Sequence, residues 1–211
     1  MNFLAHAWLA GDLAADRVGG VIGDFVKGPL PGQLETPLAD GVRLHRAIDS
    51  FADRHPAFRR SRARVSGERR RVAGIMVDLF YDHFLACYWS SYVHSLATTM
   101  APPPSLAEFS AQVYRDVGAC DLGMLPDGSR EILARMRDED WLTAYADPAA
   151  IARTLDRMSR YRLRQPNTLA GAGEELLMAY AGFQEDSFEF LQDAATFAAD
   201  QRTRRSAVFT V

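Results

Sequence analysis

The stretch from residue 72 to residue 90 constrains the fold more than any other part of the chain. It reads VAGIMVDLFYDHFLACYWS, is apolar on every side of a helix and contains no Lys or Arg. It is long enough for about five turns at 3.6 residues per turn. A helix without a polar face is typical of the interior of a helical protein. We therefore predict a buried helix that begins near Gly67 and includes residues 72–90.

Three ionisable residues interrupt this apolar helix. Asp78 and Asp82 are four residues apart, so their side chains lie on the same face, and His83 follows directly. A buried carboxylate is costly unless a cation or hydrogen bonds satisfy it. For a single Asp, an arginine or backbone donors from another helix would be the better explanation. For two carboxylates and an imidazole together we favour a bound metal ion.

Helix signals recur along the rest of the chain. Thr36 precedes a proline, as an N-cap residue often does, and Ser105 opens a capping box. The helices predicted in this way cover residues 2–10, 37–53, 105–117, 126–138, 147–161 and 173–199. No strand-like alternation exceeds four residues, and no linker divides the chain. We predict an all-α single domain of seven to nine helices over residues 1–200, with a flexible tail at 201–211.

Ionisable residues in apolar surroundings also occur in three other segments of the N-terminal half. His6 lies in the first helix, Asp24 lies in the segment GGVIGDFVKG, and His45 and Asp49 are four apart on one helix face. Taken alone, His6 would be a hydrogen-bonded core residue, and Asp24 a turn or capping residue. Together with the helix at 72–90, they give four segments that can converge on one metal site.

Mixed imidazole and carboxylate ligands limit the choice of metal. They suit Mn²⁺, Fe²⁺ or Zn²⁺ better than Ca²⁺, which prefers oxygen ligands. The two cysteines, Cys87 and Cys120, do not form a Cys-x-x-Cys pair, so we expect neither a structural zinc site nor a disulfide framework. A divalent ion held by such ligands can lower the pKa of water and polarise a phosphoryl oxygen.

Positive charge is concentrated in residues 54–71. This segment holds eight arginines and one acid, a net charge of +7, whereas the whole chain carries −3. Such a patch attracts an acidic partner, either a nucleic acid or an acidic protein. A solvated arginine-rich surface is an equally good explanation, because Lys27 is the single lysine among 24 basic residues.

Four motifs, in order, resemble those of one protein family. They are NFLAH at 2–6, GDFVKG at 23–28, HRAID at 45–49 and DLFYDHFL at 78–85. Weaker patterns at 141–145 and 151–158 extend the likeness over nearly the whole chain. On these motifs the sequence resembles the bacterial acyl carrier protein phosphodiesterases, which are regarded as divergent helical relatives of the HD phosphohydrolases.

This resemblance implies a fold, an activity and a cofactor. The fold is HD-phosphohydrolase-like. The activity is hydrolysis, by a metal-activated water, of the phosphodiester that joins 4′-phosphopantetheine to a serine of holo acyl carrier protein, with Mn²⁺ as the metal. The implied residues are the metal ligands His6, Asp24, Asp82 and His83, the catalytic residues His45, Asp49 and Asp78, and the substrate contacts Lys27, Arg59, Arg69, Arg70 and Arg71. Whether His45 and Asp49 are further ligands or move protons stays open at this point.

Three other functions fit parts of the pattern. An HD-type phosphohydrolase acting on a nucleotide or small phosphate ester would keep the metal site. A non-enzymatic helical metal protein usually has Glu-x-x-His pairs on two helices, which this chain lacks. A nucleic-acid binder would be favoured by aromatic residues among the arginines of 59–71, and there are none. Without an 18-residue apolar run or a secretory signal, we expect a cytoplasmic protein that binds neither membrane nor nucleic acid.

Overall fold

The computed structural model describes residues 2–95, 103–163 and 165–208, and within these ranges the chain forms twelve α-helices and no β-strand. The helices are α1 Phe3–Leu9, α2 Ala14–Ile22, α3 Thr36–Arg54, α4 Pro56–Arg64, α5 Ala73–Cys87, α6 Trp89–Ser95, α7 Leu106–Ala119, α8 Asp127–Asp138, α9 Trp141–Ala144, α10 Pro148–Tyr161, α11 Gly173–Met178 and α12 Tyr180–Val208. The predicted all-α single domain is confirmed, and the likeness to HD phosphohydrolases stays a prediction. Within the same ranges, no helix combines the length and apolar character needed to cross a membrane.

Helix α5 is the buried centre of the fold, as the sequence predicts. Eleven of its 15 residues are buried, and helices α1, α4, α10 and α12 pack around it. The helix is shorter than predicted, because it ends at Cys87 and Tyr88 separates it from α6. The predicted start near Gly67 is wrong. Ser66 does not cap the helix, because its hydroxyl donates to Glu175 at 2.6 Å, and residues 67–69 form a short 3₁₀ turn instead.

Most other predicted helices are confirmed to within a few residues. The capping box forms at Ser105, where Glu108 and the serine satisfy each other's backbone amides. Asp147 caps α10 by accepting from the Ala149 amide at 2.9 Å. These signals are local to the sequence, which is why they predict the helix starts well.

The C-terminal helix differs from its prediction. The helix predicted at 173–199 is divided into α11 and α12 at Ala179, and α12 continues to Val208. The side chain of Arg205 donates to Asp16 of α2 at 2.7 Å, and Arg202 donates to the carbonyl of Leu9. Residues 201–208 therefore continue the helix where we predict a flexible tail, and residues 209–211 lie outside the described residues.

The backbones of α2 and α3 touch where two glycines face each other. A Cβ atom built on Gly19 would lie 2.5 Å from backbone carbon atoms of Gly41. Only glycine leaves room for such an approach. Helix α2 also packs against α1, so α2 is in contact with both α1 and α3.

The first prediction tests this close packing. Gly19→Ala should lower the free energy of unfolding by about 1–3 kcal/mol, the usual cost of overpacking, because α2 and α3 must separate. Urea denaturation followed by circular dichroism measures the change. Gly118→Ala on α7 is the matched control, since no atom lies within 4 Å of its new Cβ. Equal stability of the two variants would show that the α2–α3 contact is looser than described.

Candidate metal centre

Four of the predicted residues converge at one place. His6 comes from α1, Asp24 follows α2, and His45 and Asp49 belong to α3. The Nε2 atom of His6 lies 3.1 Å from Oδ1 of Asp49. The Nε2 atom of His45 lies 3.2 Å from Oδ2 of Asp49 and 3.7 Å from Oδ1 of Asp24. The two imidazole rings stack with their centroids 3.8 Å apart.

The backbone after α2 fixes the direction of the His45 ring. Its Nδ1 atom lies 2.9 Å from the carbonyl oxygen of Gly20. Because a carbonyl only accepts, Nδ1 carries a proton, and Nε2 is directed at the carboxylates. A Cβ on Gly23 would lie 2.3 Å from the ring's Cγ atom, so the glycine next to Asp24 makes room for the imidazole.

Nε2 of His45 and the carboxylates of Asp24 and Asp49 face one another, so a cation between them would be stabilised. If His45 were neutral, the lone pair of Nε2 would face the oxygens of Asp24 and Asp49. Burial alone would lower the pKa of His45, but its interactions with the two nearby carboxylates outweigh this and raise it to about 9. In turn, His45 lowers the pKa of both carboxyls in spite of their burial. A proton occupies this position in the absence of a metal ion.

His6 is the neutral member of the cluster. Its burial, together with the adjacent His45, lowers the pKa of its imidazole to about 3. Two stacked imidazoles cannot both carry a positive charge at low cost. His6 is therefore neutral near pH 7, which is the form of histidine that binds metal ions.

The donor set fits a small divalent metal ion. His6, His45 and Asp49 each offer a ligand atom, and these atoms lie within 4.8 Å of one another. Around an octahedral ion with bonds of about 2.1 Å, adjacent ligand atoms lie about 3.0 Å apart. The observed separations of 3.1 and 3.2 Å are close to that value. Two imidazoles and two carboxylates form the mixed nitrogen and oxygen set that suits Mn²⁺, Fe²⁺ or Zn²⁺.

Asp82 lies below the first turn of α1 and outside the cluster. Its two oxygens accept from the amides of Leu4 at 2.9 Å and Ala5 at 3.0 Å. These amides have no partner within their own helix. Burial raises the pKa of Asp82 to about 7, although the two hydrogen bonds oppose the rise. In this structure Asp82 positions the helix that carries His6, and its predicted role as a ligand stays a prediction.

His83 is also engaged elsewhere. Its Nδ1 atom donates to the carbonyl oxygen of Tyr145 at 2.9 Å, and its Nε2 atom lies 3.0 Å from the hydroxyl of Tyr180. Because Nδ1 is the donor, Nε2 of the neutral ring accepts from that hydroxyl. Both nitrogens are used in contacts with the C-terminal half, and the structure does not bring His83 into the cluster, so its role as a ligand stays a prediction.

Asp78 lies on α5, one turn before Asp82, and is half-buried. Burial raises the pKa of its carboxyl, and repulsion by the carboxylates of Asp49 and Asp24 adds to the rise. Asp78 therefore interacts electrostatically with the cluster, although its side chain is not one of the four that converge there. Its predicted catalytic role stays a prediction.

Several arginines of residues 54–71 hold the fold together. Arg60 and Arg64 donate to the buried Asp186 of α12 at 2.8 and 3.0 Å. Arg69 donates to Glu175 at 2.9 Å and to the carbonyl of Thr168 at 3.0 Å. Its guanidinium connects segments of the fold in this way, and the predicted role of Arg69 as a substrate contact stays a prediction.

The other predicted substrate contacts lie at the surface. Arg59 is exposed and donates to the carbonyl of Asp53 at 3.1 Å. Lys27, Arg70 and Arg71 are exposed and have no ion pair with the described residues. The predicted roles of these four residues are not tested by their positions.

The sequence pattern did not indicate Arg162, which lies beside the cluster. It follows α10, and its guanidinium is 3.5 Å from Oδ2 of Asp24 and 5.6 Å from the ring centroid of Phe25. A guanidinium offers paired donors that match phosphate oxygens. The only signal was a basic run, YRLR at 161–164, about 140 residues after Asp24. The packing of α10 against α5 brings the two together.

The fold and this cluster define a helical protein with a group of two buried histidines and two aspartates. A sequence profile of the family acyl carrier protein phosphodiesterase matches residues 1–194. The chain therefore belongs to the acyl carrier protein phosphodiesterase family, as its motifs predict.

Individual relatives with the same name cover nearly the whole chain. The acyl carrier protein phosphodiesterase of Photorhabdus laumondii is 33% identical over 190 residues, 90% of this chain and 91% of that protein. That of Pectobacterium atrosepticum is 30% identical over 204 residues, 96% of this chain and 100% of that protein. No solved structure matches the chain.

Proposed function

We propose that this protein is a divalent-metal-dependent phosphodiesterase that converts holo acyl carrier protein to the apo form and releases 4′-phosphopantetheine. The observation that carries the proposal is the convergence of His6, Asp24, His45 and Asp49 beside Arg162, in a chain that belongs to the family. The relatives bear the name of this activity. The metal we propose is Mn²⁺, which suits the mixed ligands.

In this proposal each residue of the cluster has a defined part. His6, Asp24, His45 and Asp49 hold the ion, and Asp49 also fixes the separation of the two imidazoles because it contacts both. When bound, such an ion polarises phosphoryl oxygens and makes water more acidic. Such an ion would take the place of the proton on Nε2 of His45, and its two positive charges would match the two carboxylates.

Arg162 and Asp78 act on the substrate in this proposal. The guanidinium of Arg162 binds the non-bridging oxygens of the phosphodiester. Water attacks phosphorus, the bond from phosphorus to the serine oxygen breaks, the serine oxygen takes up a proton from a donor, and the proton lost by water restores that donor. Because burial raises the pKa of Asp78, this carboxyl is our proposed proton donor. The products are a free serine and phosphopantetheine with a terminal phosphate.

Replacement of Arg162 tests the phosphate contact. Arg162→Ala should lower kcat/KM for holo carrier protein by about 10- to 100-fold, because a hydrogen bond to a charged group contributes about 1.5–3 kcal/mol. Initial rates from mass spectrometry of the carrier measure this. Arg153→Ala is the control, since Arg153 lies on α10, the helix that Arg162 follows, is exposed and pairs with Asp147 at 3.5 Å. Equal kcat/KM values for the two variants would exclude Arg162 from the site.

The activity itself is tested by the mass of the substrate. Purified protein is incubated with holo acyl carrier protein and Mn²⁺, with a second sample in excess EDTA. We expect the carrier to lose the mass of phosphopantetheine in the first sample only. An unchanged carrier would contradict the proposal. If the protein still hydrolysed a small phosphate ester, an HD-type phosphohydrolase of another substrate class would be the better explanation.

A further inference from the structure

A cavity of about 190 Å³ lies between helices α1, α8, α9 and α10 and has no part in the proposed chemistry. The rings of Phe3 and Trp141 and the side chain of Met158 give it apolar walls. Asn2 and Thr154 add groups that can form hydrogen bonds. The charged residues at the lining are Glu131, Arg135, Arg157 and Arg162. A small apolar pocket with a few polar groups is typical of a site for a small molecule or a narrow chain.

The cavity and the surroundings of the proposed metal centre share one residue, Arg162. Arg162 lines the cavity and lies 3.5 Å from Asp24. Phe3 packs against the ring of Phe25 with centroids 6.2 Å apart and against Trp141 at 6.5 Å. Phe25 directly follows Asp24 in the chain. A substrate whose phosphate lies at Arg162 therefore has this cavity next to its phosphate.

The size and chemistry of the cavity match one end of the proposed substrate. The pantetheine arm is a narrow chain, and its distal part, with methylene groups, an amide and a terminal thiol, needs apolar walls and a few hydrogen-bonding groups. Pockets that enclose whole drug-sized ligands have volumes of about 300–1,000 Å³. The smaller cavity here suits part of the arm, with the phosphate outside it.

We propose that this cavity binds the distal part of the 4′-phosphopantetheine arm, so that the prosthetic group is recognised in addition to the carrier surface. This inference rests on the proposed function of the adjacent centre. It assigns a specificity role to Thr154 and Trp141, which lie on the C-terminal half of the chain and outside the four motifs.

A variant that fills the cavity tests this inference. Thr154 is half-buried on α10, and Thr154→Trp should block the space with little change to the core. We expect kcat/KM for holo carrier protein to fall at least tenfold through KM, while hydrolysis of bis(p-nitrophenyl) phosphate is unchanged. Thr154→Ser is the matched control and should behave as the parent protein. Ile132→Trp fills the cavity from α8 and replaces the first variant if that one does not fold.

Direct binding gives a second readout that does not depend on catalysis. Calorimetric titration of pantetheine, which lacks the phosphate, into metal-free protein should show binding to the parent and at least tenfold weaker binding to Thr154→Trp. Equal binding to both proteins, or no binding to the parent, would overturn the inference.

The two proposals can fail separately. If the parent hydrolyses the carrier and Thr154→Trp does so with the same kcat/KM, the cavity has no role and the proposed function stands. If the parent leaves the carrier intact, the proposed function fails, and the pantetheine titration alone decides whether the cavity binds the arm.

Discussion

Asp49→Asn is expected to reduce hydrolysis of holo acyl carrier protein by about 10³-fold or more, because a bound ion contributes several kcal/mol of transition-state stabilisation and each 1.36 kcal/mol is a factor of ten. Asp49 contacts both His6 and His45. Its negative charge favours any cation held between them. Asparagine keeps the shape of the side chain and removes that charge, so the helices should be unaffected.

Initial rates and the circular dichroism spectrum are measured on the same preparation. Asp53→Asn is the control, because Asp53 lies one turn further along α3, is exposed, and pairs with Arg62 at 3.7 Å. That variant should keep the parent rate. Full activity in Asp49→Asn would show that the carboxylate of Asp49 is not required in the proposed centre.

Asp82→Ala is expected to lower the free energy of unfolding by about 2–4 kcal/mol. It leaves two buried amides of α1 without acceptors, at about 1–3 kcal/mol each, and removal of the buried carboxylate offsets part of this loss. Urea denaturation measures the change, and Asp138→Ala on the exposed surface of α8 is the control. Asp138 is 62% exposed and Asp82 is fully buried.

The same variant separates the two roles that Asp82 could have. If Asp82 only positions α1, then Asp82→Ala should bind Mn²⁺ nearly as well as the parent under conditions where it is folded. A variant that kept its stability but lost Mn²⁺ would show that Asp82 is a ligand, contrary to its hydrogen bonds with Leu4 and Ala5.

The buried helix and the set of ionisable residues could be predicted because their signals are local. An apolar stretch with no basic residue predicts burial of α5 wherever the other helices lie. The spacing of four between His45 and Asp49 places both on one face of α3. These features are properties of a single helix, and the structure retains them.

The ligand assignment could not be predicted, because it depends on how separate helices meet. Asp82 and His83 are adjacent on α5 and therefore point in different directions. The sequence does not show that one of them meets the first turn of α1 and the other meets Tyr145 and Tyr180. The apolar surroundings of both residues predict that each must have hydrogen-bond partners. Those partners are two backbone amides for Asp82, and a carbonyl and a hydroxyl for His83.

The net charge around the arginine-rich segment also could not be predicted from that segment alone. Its net charge of +7 counts only residues 54–71. In the fold, Asp186 and Glu175 come from more than 100 residues away and neutralise part of it. Arg70 and Arg71 are exposed and remain predicted contacts for the acidic carrier.

Calorimetric titration of Mn²⁺ into metal-free protein tests most directly whether His6, Asp24, His45 and Asp49 form the metal centre. The parent should bind Mn²⁺. We expect His45→Ala to lose at least 100-fold in affinity, and His83→Asn to bind as the parent does. Unchanged affinity in His45→Ala, or an equal loss in His83→Asn, would contradict the proposed centre and place the ion elsewhere.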